Sequence, residues 1–212
     1  MSHTHAHLVR AFVVVMGLAL ANVALAGPPL ICFPFDTDGA PALAWGTGPG
    51  WNTPHPSYDT HHLASDTLRL LAADAPVLAR MENMRRATIY AMQDPVLAGQ
   101  VLSGLIDRAL SPSGSRDPLA WFDAGYIVES YRQAVHVRRV GAGTQSWAAV
   151  DATLASIDGY GFVKKSFALQ APSGEMEFAA SLMTTGAVSA AHRARASEAA
   201  VRGSLLARNL AK

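Results

Sequence analysis

"DAPVLARMENMRRATIYAMQDPVLAGQVLSGLIDRAL", Asp74 to Leu110, decides the fold class. Asp74 stands just ahead of Pro76, in a first helical turn where proline's missing N–H costs nothing. Leu78, Met81, Met84, Thr88 and Met92 then recur at spacings of three and four, while Arg80, Glu82, Asn83 and Arg86 fall on the other side of the wheel. The spacing predicts an amphipathic helix with that charged side turned away from the core. Asp94 and Pro95 restart the pattern, with Val101, Leu102, Leu105, Ile106 and Ala109 as the buried stripe.

The same start recurs outward from this stretch. Asp117 and Pro118 open a helix whose apolar side carries Leu119, Phe122, Tyr126, Ile127 and Val135. The three starts, at 74, 94 and 117, lie 20 and 23 residues apart, room for one helix and a short connection each time. Upstream, Asp59 or Thr60 caps a helix over about 60–73. Downstream, three further segments from Ser146 to Lys212 read as helix, with Gly159, Gly161, Gly174, Gly186 and Gly203 as breaks. No β alternation of useful length appears. The class expected is all-α, antiparallel helical hairpins stacked as a solenoid or closed as a bundle, with Leu78, Met81, Leu102, Leu105, Ile106, Phe122, Tyr126 and Leu182 inside.

Within it, Trp121-x-x-Ala124-Gly125-x-x-Val128 is similar to the opening of a tetratricopeptide repeat, and Ser166-Phe167-x-Leu169-x-x-Pro172 to its closing helix. The resemblance implies stacked helical hairpins with a concave face for a peptide or another protein. Trp121, Tyr126 and Tyr131 are the candidate groove residues on that reading. The period of about 20 departs from the repeat's 34. The arm and helical body together also resemble exported bacterial proteins, a likeness that carries no activity with it.

Residues 1–26 read as a signal peptide: Arg10, a 13-residue uncharged run, then Ala24-Leu25-Ala26 before the cleavage point. That run is shorter than the roughly 20 residues a membrane-spanning helix needs. The expected destination is the periplasm or the exterior, with no stable membrane insertion after cleavage. Removing 26 of the 212 residues leaves 186, suited to one core. Arg10 is the segment's one basic residue, so 16 of the 17 Lys and Arg remain against 16 Asp and Glu. Without a cationic excess, nucleic acid is not an expected partner.

Residues 27–57 read as an irregular arm, since seven prolines deny it any regular element. Phe33, Phe35, Trp45 and Trp51 are expected to pin it to a helical domain over 58–212. The single cysteine forms no internal disulfide. Cys32, Asp36, Asp38, His55, His61 and His62 are the candidate metal ligands, soft sulfur and imidazole suiting zinc or copper. Cys32 stands without a paired ligand, and His61 and His62 diverge on a helix. Asp36-Thr37-Asp38-Gly39 fails as a calcium loop, because position twelve is Thr47 and not Glu, so an aspartate-built turn is expected. Burial between Ile31 and Phe33 makes an inert thiol of Cys32. Glu129 is expected to pair with Arg132, and Glu175 and Glu177 to favour a helix N-terminus.

No serine-hydrolase, zincin or phosphate-loop signature is present, and no cofactor is expected. The leading functional expectation is an exported, non-catalytic helical interaction or scaffold protein. The alternative is a small exported metal-binding protein or enzyme using the Cys32 to His62 region.

Overall fold

The computed structural model describes residues 30–138 and 146–212, apart from the side chains of His136 and Arg138. The signal-peptide expectation over 1–26 lies outside them. Among the described residues the regular structure is helical: α1 Leu63–Leu70, α2 Val77–Ala91, α3 Pro95–Leu110, α4 Pro118–Arg138, α5 Ala148–Ser156, α6 Gly159–Leu169, α7 Gly174–Met183, α8 Gly186–Ala199 and α9 Leu205–Leu210. The β structure described is one isolated bridge in the arm, between Trp45 and Pro54.

Two of the three Asp-Pro starts behave as expected. Asp94 accepts from the amides of Val96 and Leu97, with Pro95 at the first turn of α3. Asp117 accepts from Leu119 N at 2.9 Å. Asp74 does not cap. Pro76 itself takes the N-cap place of α2, extended at ψ 144°, and has no side-chain oxygen to offer.

Neighbouring helices pack in pairs, with α4 lying most extensively on α6 and α7 on α8. α4 also packs on α2 and α3. α7 touches both α2 and α4, contacts remote in sequence that a strictly nearest-neighbour stack lacks. The core runs through these layers, and of the eight expected core residues only Leu182 is left partly buried.

The charged side of α2 is the main correction. Arg80, Glu82, Asn83 and Arg85 are buried along with the apolar side, so the helix is enclosed all round. Arg80 is covered by Asp123 of α4 and the carbonyls of Ala72 and Ala75, and the other three by the arm. Glu82 accepts from Phe35 N at 3.0 Å; Asn83 accepts from Leu43 N at 2.8 Å and donates to Pro41 O at 3.1 Å. Arg85 donates to the carbonyls of Ile31 and Trp51, Arg86 to that of Leu43, and Tyr90 to that of Ala44. A proline-rich segment cannot satisfy its own backbone groups, and α2 supplies the partners side chain by side chain.

Candidate functional site

Two places on the molecule combine chemistry with shape. The first joins α6, α7 and α8. Asp158 caps α6 and sets Tyr160 in its first turn, while Ser173 caps α7 and places Glu177 one turn in. Tyr160 Oη stands 2.6 Å from His192 Nε2, and His192 Nδ1 stands 2.5 Å from Glu177 Oε2. Arg195 Nε donates to the other Glu177 oxygen at 2.8 Å. Arg195 Nη2 also lies 2.7 Å from His192 Nδ1, so that nitrogen sits between a carboxylate and a guanidinium while Nε2 meets the phenol.

This line orients a base toward a hydroxyl, the geometry of nucleophile activation. Its electrostatics run the other way. Burial pushes the Tyr160 phenol up, with Arg195 pulling against it. Glu177 is pushed up by burial, but hydrogen bonds from Arg195 and His192 outweigh that and leave it below the usual carboxylate range. A phenol held protonated and an imidazole spent on both sides make a tie between three helices. The sequence reading put Glu175 and Glu177 at a helix N-terminus, and both stand in the first turn of α7, where Glu177 also takes His192 and Arg195.

The second place is an apolar cleft of about 180 Å³ where the arm meets α7, α8 and the chain's last residues. Phe178 and Leu182 are four apart on α7 and share one face. Phe35 packs edge-on against Phe178, centroids 6.1 Å apart. Phe33, two residues back along the arm, is 52% exposed. The Arg193 guanidinium lies 5.9 Å from the Phe178 ring and donates to Leu210 O at 2.7 Å, and Lys212 Nζ donates to Pro34 O at 3.1 Å. Sequence reasoning noted Phe33 only as a pin. No local pattern marked Phe33 as the exposed one, because it lies in a bend before the buried Phe35 and its surroundings come from α7, α8 and the residues after α9.

The candidate metal ligands go to separate duties. Asp36 and Asp38 both face Arg208, at 2.7 and 3.3 Å. Asp38 sits at φ 54° and donates its N–H to Asp36 Oδ1, so the expected aspartate-built turn is present, closed by Gly39 at φ 77°. His55 Nδ1 meets Ser57, His62 faces Asp59, and His61 lies exposed on the short turn before α1. Cys32 is half-buried, its thiol pushed up by burial against the pull of Arg85. Among the described residues no three His, Cys, Asp or Glu side chains converge as a metal would require.

The candidate groove residues are interior. Trp121, Tyr126 and Tyr131 are 3%, 0% and 1% exposed, so in this conformation they line no open surface. Trp121 donates to Ser115 O, stacks edge-on with Phe162 and carries Lys165 over its face at 3.5 Å. Glu129 does pair with Arg132, which also donates to the carbonyls of Leu154 and Ile157.

No protein-family model matches the chain, and neither the curated proteins nor the solved structures contain a match to it, the tetratricopeptide repeats included. Fold and site therefore define it as an all-helical protein with a strapped, buried polar helix and one cation-rimmed apolar cleft. No helix among the described residues is long and apolar enough to cross a membrane.

Proposed function

We propose that the protein is an exported, non-catalytic helical interaction protein that seats an apolar group of its partner in the Phe33–Phe178 cleft. The observation that carries this reading is the half-exposed Phe33. Leu30 and Ile31 before it and Phe35 after it are buried, so the ring is held out over the cleft by chain fixed on both sides. Such preorganisation lowers the entropy lost on binding. The non-catalytic part rests on the Glu82 and Glu177 clusters, whose carboxylates are held by Arg85 and Arg86 and by His192 and Arg195 in ties between elements. Export rests on residues 1–26, and intact-mass measurement on protein recovered from an exporting bacterium should show a chain beginning at Gly27.

The test is a neutral one-ring fluorophore, 4-(dimethylamino)benzonitrile, titrated into the folded protein. Enhanced emission that falls away in Phe33→Asp is the expected result. No enhancement, or enhancement indifferent to that change, overturns the reading. The competing metal reading calls for stoichiometric zinc or copper in the purified protein. Metal analysis is expected to return neither, in the parent or in Cys32→Ser, and His61→Ala, at an exposed position, is expected to change stability by no more than about 0.5 kcal/mol, as surface changes usually do.

A further inference from the structure

The charge around the cleft is one-sided. Its lining sets five apolar side chains beside Asn209 and the two cations Arg193 and Lys212, with no acidic side chain. Both cations are anchored by backbone carbonyls, Arg193 by Leu210 and Lys212 by Pro34. Neither anchor neutralises charge, and each leaves further N–H donors unused. Asn209 has none to spare, because its amide accepts from Asp36 N and donates to Asp36 O and Leu205 O. The nearest acid, Asp36, feels Lys212 but is committed to Arg208.

Size narrows the occupant further. A cavity of about 150 Å³ takes a benzene ring, so about 180 Å³ takes one ring or a short chain. It is too small to seat a helix or a run of strand. We infer that the cleft binds an aliphatic or aryl carboxylate of about six to eight carbons, its chain on Phe33, Phe178 and Leu182 and its carboxylate on Arg193 and Lys212. The inference rests on the cleft being the interaction site. It adds the acid group, and with it a preference for a small amphiphilic acid over a neutral apolar group.

Isothermal titration of the purified protein with octanoate, octan-1-ol and octylammonium tests it. Octanoate should bind about tenfold or more tighter than octanol, the worth of one charge-assisted contact, and octylammonium should not bind. Lys212→Met and Arg193→Met should each remove most of that advantage while leaving octanol unchanged. Phe33→Ala should weaken octanoate and octanol alike; being half-exposed, it leaves the fold intact, and Leu182→Trp, checked by circular dichroism, should block both. Equal binding of octanol and octanoate, unmoved by the charge variants, overturns the acid assignment and leaves the cleft reading standing. Absence of binding by either, together with failure of the neutral fluorophore, overturns both. A decapeptide with a free C-terminal leucine binding tighter than octanoate would replace the small acid with a protein partner.

Discussion

Asp123 on α4 is wholly buried with Arg80 of α2, Nη1 to Oδ2 at 2.6 Å, and Arg108 of α3 approaches the same oxygen at 3.5 Å. Arg80 spends its remaining donors on the carbonyls of Ala75 and Ala72. Removing one member of such a pair strands the other's charge, so Asp123→Ala should cost about 3–5 kcal/mol in urea unfolding. The double change Arg80→Met with Asp123→Leu should cost less than the single one. Burial pushes the Asp123 carboxyl up to about 7, against the pull of Arg80 and Arg108. The folded protein then holds a proton between about pH 4 and 7 that the unfolded chain releases. Across that window Asp123 lowers stability as pH rises, a slope that Asp123→Asn should abolish. Glu82 has the opposite sign: burial raises it, but Arg85 and Arg86 outweigh burial and hold it below its ordinary value. Its contribution is complete above the ordinary glutamate pKa and lost as pH falls through the depressed one, so acid unfolding should begin below about pH 4.

Among the elements, the closest approach is that of α4 to α6. A methyl group on Gly125 would lie 2.5 Å from Gly159 O and 2.7 Å from Val163 Cγ2, and one on Gly159 would lie 2.9 Å from Gly125 O. Gly125→Ala should therefore force the helices apart and cost about 1–3 kcal/mol, the usual range for overpacking, read as a lowered melting temperature. Leu105→Ala, in the buried stripe of α3, should cost about 2–5 kcal/mol. Gly125 was visible in the sequence as part of a repeat-like motif, but its use as a packing contact was not, because α6 had to be in place to show it. Helix starts at Asp94 and Asp117 were legible since a cap and its amides are neighbours in the chain. The enclosure of α2 was not. Periodicity separates apolar from polar positions, and it cannot tell a polar face turned to water from one satisfied by carbonyls contributed 34 to 54 residues away. The cleft was hidden for the same reason, being built from the two ends of the described chain.

At the scale of the molecule, the arm is a strap tied to Gln133 of α4 at Leu30 and held by two larger anchorages beyond it. One is α2, through Glu82, Asn83, Arg85, Arg86 and Tyr90. The other is α9, through Asn209 and Arg208 on Asp36. Glu82→Ala should release the first, since it frees Phe35 N, Arg85 and Arg86 together. The expected outcome is early protease cleavage within residues 33–57 while the helical body resists, with far-ultraviolet dichroism still dominated by helix. Cleavage no faster than in the parent would show that the second anchorage suffices.

The Asp36–Asn209 contact joins residues 173 apart. Chains are made from the N-terminus, so the arm leaves the ribosome long before α9 exists. Domains generally fold as units during synthesis, and here the arm needs α9 before the unit is complete. Closing so long a loop is slow relative to forming local helices. The Asp36 end of the strap is consequently the part that closes last, and Phe33, three residues before it, reaches its place over the cleft only after α9 has been made.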